Sequence, residues 1–172
     1  MVDNLALSIA KRIKNTVPNH PSSVNVLKYA LIVILNAVFG VALSLLISIL
    51  TDKTSEVIVI ILSFALLRQL SGGYHIKSSD GCVIVSVLLF TALSLISLNS
   101  TAVIVINSCS VLLALFFAPS KIDKQSKIPK KYFPYLKIVS VLLITINFYL
   151  QYSTIAMAFF VQCISLIRLK MT

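Results

Sequence analysis

A chain of 172 residues that is 58% hydrophobic and 12% charged, with mean hydropathy +1.00, falls outside the ordinary soluble class, where charge runs nearer a quarter. It reads as an integral membrane protein forming one domain over residues 1–172. A net charge of +10 does not here signal nucleic acid, because basic loops in a membrane protein report topology and anionic lipid, and no nucleic-acid fold signature is visible. Three widely spaced cysteines make no disulfide framework. Residues 1–16 lack the apolar core and cleavage site of a signal peptide.

Residues 1–21 form an amphipathic N-terminal segment. Val2, Leu5, Ala6, Ile9 and Ile13 recur at helical spacing, with Asp3, Lys11, Arg12 and Lys14 off that stripe. Two placements fit: a helix lying at the membrane surface, or one packed on the protein. Pro18 and Pro21 mark a turn, and Ser22 or Ser23 caps the next helix. Residues 29–50 carry no charge and are long enough to cross about 30 Å of hydrocarbon. Residues 57–67 form a second, short segment; even 54–70 reaches only about 25 Å at helical rise, which predicts an end inside the bilayer or local thinning. Residues 83–98, 102–118, 136–150 and 154–167 are four further apolar segments. Between the fourth and fifth lies a basic loop, 119–137, with Lys121, Lys124, Lys127, Lys130, Lys131 and Lys137, broken by Pro129 and Pro134.

The expected architecture is therefore an all-α six-helix transmembrane bundle with an interfacial N-terminal helix; four crossings are the alternative. With the N-terminus inside and six crossings, only Lys53 lies outside and the basic residues split 14 to 1. Both termini and the stretch 68–82 then face the cytoplasm, where a free thiol is sustainable.

That stretch, Arg68-Gln-Leu-Ser-Gly-Gly-Tyr-His-Ile-Lys-Ser-Ser-Asp-Gly-Cys82, is a polar, Gly-rich break between apolar segments. Cys82 is a candidate nucleophile and His75 a candidate base. Ser78, Ser79 and Asp80 are capping residues just before the apolar run, so Cys82 falls in a first helical turn, where the helix dipole favours a thiolate. Asp80 opposes this unless its carboxylate is directed onto backbone N–H groups. In one continuous helix His75 and Cys82 would stand about 10 Å apart, and proton transfer needs roughly 3 Å. The backbone must therefore turn between them, and Ser78-Ser79-Asp80-Gly81 is where it can. Gly72-Gly73 ends the preceding segment. Arg68 suits a substrate carboxylate or an oxyanion, and Gln69 and Gly73 join it as candidate substrate or oxyanion residues. The bland readings are a structural cysteine, a solvated histidine and a snorkelling arginine. Cys109 and Cys163 read as packing residues and His20 as a loop residue. Asn36, Asn107, Asn147 and Gln162 read as polar ties between helices.

Arg68-x6-His75-x6-Cys82 with Gly-Gly before the His, together with Phe117-Ala118-Pro119-Ser120, the lysines after it and Ile128-Pro129, resembles the accessory gene regulator protein B (AgrB) family. The similarity covers nearly the whole chain. It implies a membrane cysteine endopeptidase of Gram-positive quorum sensing, in the bacterial cell membrane, that removes the tail of an AgrD-like precursor peptide and promotes its cyclisation. It implies Cys82 as nucleophile and His75 as base, with Arg68 and Gly73 matching the family pattern; no third acid can be placed. Lys121, Lys124, Lys127, Lys130 and Lys131 suit an acidic precursor tail or lipid headgroups. The expected partners are the precursor and membrane lipids, a homodimer being compatible with so small a bundle; no cofactor or metal is expected. The competing readings are a peptide transporter and a structural membrane protein.

Overall fold

The computed structural model describes residues 1–19, 21–73, 78–120 and 129–167. Among these residues the protein is all helical, with seven α-helices: α1 (Val2–Thr16), α2 (Val24–Leu50), α3 (Thr54–Ser71), α4 (Ser79–Ser94), α5 (Ser100–Phe117), α6 (Phe133–Leu150) and α7 (Ser153–Ile164). A 3-10 turn, Lys130–Tyr132, leads into α6. Helices α2, α3, α5 and α6 are each long and apolar enough to cross a membrane. Helices α4 and α7 are apolar but have only 16 and 12 residues, about 24 and 18 Å at helical rise.

Apolarity marks what sits in hydrocarbon, whereas caps decide where a helix starts, so the segment boundaries shift. Helix α2 begins at Val24, five residues before the uncharged run, because the Ser23 hydroxyl accepts from Val26 N–H at 3.3 Å. The third apolar segment stops being helical after Ser94 rather than at 98. Asn99 caps α5, its side-chain oxygen accepting from Ala102 N–H at 2.9 Å. Helix α3 runs through Ser71, and its 18 residues reach about 27 Å.

The chain divides into two compact units, Met1–Ile47 with His75–Leu89, and Ser48–Tyr74 with Phe90–Thr172. In the first, the buried stripe of α1 is Val2, Ala6 and Ala10, at intervals of four, while Leu5 is 41% exposed. The small residues thus face the protein, as in the second of the two placements expected for this segment. Helix α1 has no cap of its own. The Asp80 carboxylate, from the first turn of α4, supplies one: it accepts from the N-terminal ammonium at 2.6 Å and from Val2 N–H at 3.0 Å. Asp3 pairs with Lys28 of α2 at 3.8 Å.

The second unit is a bundle of α3, α5, α6 and α7 around Leu67, Ala114, Ala118, Ile144, Phe159, Cys163 and Leu166. Its polar ties fix the helix directions. At one end Ser153 at the start of α7 accepts from Leu98 N–H, just before α5, at 2.9 Å. At the other end the carboxyl ends of α3, α5 and α7 meet, through Ser71, Ser120 and Gln162. Helix α6 runs the opposite way: Asn147, near its carboxyl end, reaches Asn107 of α5 at 3.3 Å and braces the turn into α7 by bonds to Tyr152 N–H and C=O, both 3.1 Å. So α3, α5 and α7 are parallel to one another and antiparallel to α6.

Candidate functional site

Helix α3 ends where two consecutive glycines take positive φ, 73° at Gly72 and 129° at Gly73, a region that side chains other than hydrogen rarely enter. Gly72 N–H closes the last turn on Arg68 C=O at 2.8 Å. The chain then pairs with the residue after Pro119. Gly73 N–H donates to Ser120 C=O at 3.0 Å, and Ser120 N–H donates to Ser71 C=O at 2.9 Å, a single parallel bridge between Gly72 and Ser120. The Gly-Gly motif and the Ala-Pro-Ser motif, 48 positions apart in sequence, are thus two halves of one clasp.

Helix α7 closes the clasp from beneath. The Gln162 amide nitrogen donates to Gly72 C=O at 2.6 Å and to the Ser71 hydroxyl at 3.2 Å. Ser165 donates to Gln162 C=O at 2.7 Å and to its side-chain oxygen at 3.2 Å. Ser71, Ser120 and Gln162 are all buried. Backbone groups freed at a helix end inside a membrane protein need partners from the protein itself, and here the carbonyls of Ser71 and Gly72 have them in Ser120 N–H and the Gln162 amide. A Cβ on Gly73 would stand 2.6 Å from the Ser165 hydroxyl oxygen. Gly73 is therefore required twice, by φ and by space.

Arg68, one turn before the end of α3, lies over the Phe64 ring at 5.8 Å and is half-buried. Gln69 is exposed, beside an apolar surface groove lined by Leu62, Ala65, Leu66 and Leu70. Arg68, Gln69 and Gly73 belong to the bundle unit, and Cys82 belongs to the other.

Helix α4 starts at Ser79, and Ser78 is its cap: the Ser78 hydroxyl accepts from Gly81 N–H at 3.2 Å and its carbonyl accepts from Cys82 N–H at 3.0 Å. The backbone at Ser78 is not helical, so no unbroken helix joins positions 75 and 82. Cys82 sits in the first turn of α4, a half-buried free thiol. The Asp80 carboxylate two residues earlier is directed onto the start of α1, which holds its pKa below the ordinary carboxylate range, first through the N-terminal ammonium and then through Val2 N–H.

His75, Lys121, Lys124 and Lys127 lie outside the described residues, as do His20, Lys77, Arg168 and Lys170. Lys130 lies in the 3-10 turn, and Lys131 Nζ lies 5.0 Å over the Tyr132 ring. The sequence reading placed Gln162 only as a general tie between helices, and missed Ser71, Ser120 and Ser165. For Ser71 and Ser120 the one visible signal was a small hydroxyl residue abutting Gly-Gly or Ala-Pro; Ser165, between Ile164 and Leu166, carried none.

An all-helical protein with four helices long and apolar enough to cross a membrane, a free cysteine heading one helix and a buried polar clasp ending another, has the make-up of a membrane protein. The accessory gene regulator B family model matches residues 4–169, and the chain belongs to that family. It is 36% identical over 94 residues to an AgrB-like protein of Halalkalibacterium halodurans, a match covering 55% of this chain and 48% of that relative, so the match spans about half the relative's length. No solved structure matches the chain.

Proposed function

We propose that this protein is a membrane-embedded cysteine endopeptidase that cuts the C-terminal tail from an AgrD-like precursor and closes the remainder into a (thio)lactone signal peptide. The observation that carries the proposal is the position of Cys82, in the first turn of a helix that begins only after Ser78, in a chain of the AgrB family. His75 takes the Cys82 proton, and the thiolate attacks the precursor carbonyl that will close the ring. The C–N bond breaks, and the protonated His75 gives its proton to the departing amine of the tail. The acyl group is left as a thioester on Cys82. A Cys thiol or Ser hydroxyl of the precursor, deprotonated by His75, attacks that thioester and releases the ring, and Cys82 regains its proton. Exchange of one thioester for another is nearly balanced in bond energy, so the ring closes without a further energy source when the attacker is Cys. Arg68 and Gln69 bind substrate or oxyanion, and the lysines of 119–137 receive an acidic tail.

Six crossings, with α4 and α7 as short spans, suit this reading. Helices α3 and α5 end at the same end of the bundle, which supports a return crossing between them, like that of α6 between α5 and α7. With α4 and α7 not crossing, the basic loop would fall on the opposite face from Arg68, against the positive-inside tendency.

The test is covalent. Protein in liposomes mixed with precursor yields, by mass spectrometry, a free tail and an acyl adduct on Cys82. Cys82→Ala and His75→Ala each abolish cleavage while membrane insertion is kept. Normal processing by Cys82→Ala sinks the peptidase reading.

A further inference from the structure

Gln162 is fully buried near the end of α7. Its amide nitrogen is the donor that reaches Gly72 C=O across 90 residues of sequence, at 2.6 Å. It acts as a C-cap for α3 supplied by another helix. The cap holds one peptide carbonyl of the Gly72-Gly73 turn, while Ser120 holds the Gly73 N–H from the other side. Between them the direction in which the chain leaves α3 is set, and His75 follows Gly73 by two residues. A Gly-Gly pair is conformationally permissive, so without such a hold the exit direction would be one among many.

We infer that Gln162 is a positioning residue: by pinning Gly72 it fixes the direction in which the chain leaves α3, at the glycine pair that precedes the His75 stretch in sequence. This rests on the peptidase reading for its consequence in catalysis, and on the clasp geometry alone for the pinning. Ser165 is the second half of the device, since its hydroxyl holds the Gln162 side-chain oxygen and occupies the space beside Gly73. The arrangement explains a buried carboxamide in a helix whose other buried residues are Thr154, Ala156, Ala158, Phe159 and Cys163. An apolar residue would satisfy the packing but leave Gly72 C=O without its donor.

The experiment uses the full chain in nanodiscs, comparing wild type with Gln162→Met, which keeps length and flexibility but donates nothing. Tail release is followed against precursor concentration, and amide hydrogen exchange is followed without precursor. The expected result is a kcat lower by about ten-fold or more with KM within about two-fold, the pattern of a misaimed catalytic group rather than lost substrate binding. Exchange at the Gly73 and Ser120 amides is expected to accelerate about ten-fold while the amides of α5 and α6 keep their protection. An unchanged kcat overturns the inference whatever the exchange shows. Uniformly lost protection overturns it too, since that marks Gln162 as a general stabiliser. If the wild-type protein releases no tail, the peptidase reading fails, and exchange decides the pinning: unchanged Gly73 and Ser120 protection overturns it.

Discussion

Gly73→Ala tests the clasp at its tightest point. The substitution keeps the chain apolar and uncharged, so nothing but local geometry is disturbed. Two costs combine. Alanine at φ 129° occupies a region essentially reserved for glycine, worth about 1–3 kcal/mol. The new methyl also stands 2.6 Å from the Ser165 hydroxyl oxygen, which must rotate away and give up its bond to Gln162 C=O at 2.7 Å, worth roughly 0.5–1.5 kcal/mol. The sum is on the order of 2–4 kcal/mol. Reversible unfolding of the full chain in mixed micelles, read by circular dichroism, measures it. Repeating the substitution in a Ser165→Ala background removes the clash but not the strain, so the cost should fall by about 0.5–1.5 kcal/mol. A cost below about 0.5 kcal/mol would refute the strained-turn geometry, and an equal cost in both backgrounds would refute the Ser165 contact.

Asp80 ties α1 to α4 through a carboxylate whose pKa is lowered. A depressed pKa means that its contribution is fully present above the ordinary carboxylate value of about 3.9 and is lost as pH falls through the lowered one. Spin labels at Asn4 and Ile84 should therefore report a docked α1 from neutral pH down to about 5 and release in stronger acid, with Asp80→Asn released at neutral pH. Identical distances for the two proteins at neutral pH would contradict the role of Asp80. Lys53→Cys should react with a membrane-impermeant maleimide on intact cells and Lys131→Cys should not; labelling of both from outside would favour four crossings over six.

The apolar segments were legible because hydrocarbon-facing runs need no partner to be recognised. The head of α4 was also legible, since Ser78, Ser79 and Asp80 carry capping chemistry in their side chains. The destination of Asp80 was not: its own helix and the start of α1 both offer N–H groups, and only tertiary structure chooses between them. The extent of the third segment was misread because Leu95, Ile96 and Leu98 are as apolar as the helix before them, while α4 ends at Ser94. The clasp was hidden for a different reason. It is made of backbone bonds, which carry no residue signature, between positions 48 apart. Gln162 stood out as polar in an apolar run, but periodicity does not say which carbonyl it serves. For His75 the expectation that matters, an approach to Cys82, falls on residues outside those described.

The reach from Gln162 back to Gly72 also sets a clock. At roughly 5–20 residues per second of synthesis, the 90 residues between them take on the order of 5–20 s to be made. Arg68, His75 and Cys82 are all synthesised within or before that interval, while the donor that caps α3 does not yet exist. In a nascent chain the Gly72-Gly73 turn therefore waits for α7, whose Gln162 completes the clasp. Truncation before α7 would leave the Gly72 carbonyl without its Gln162 donor and the clasp half made.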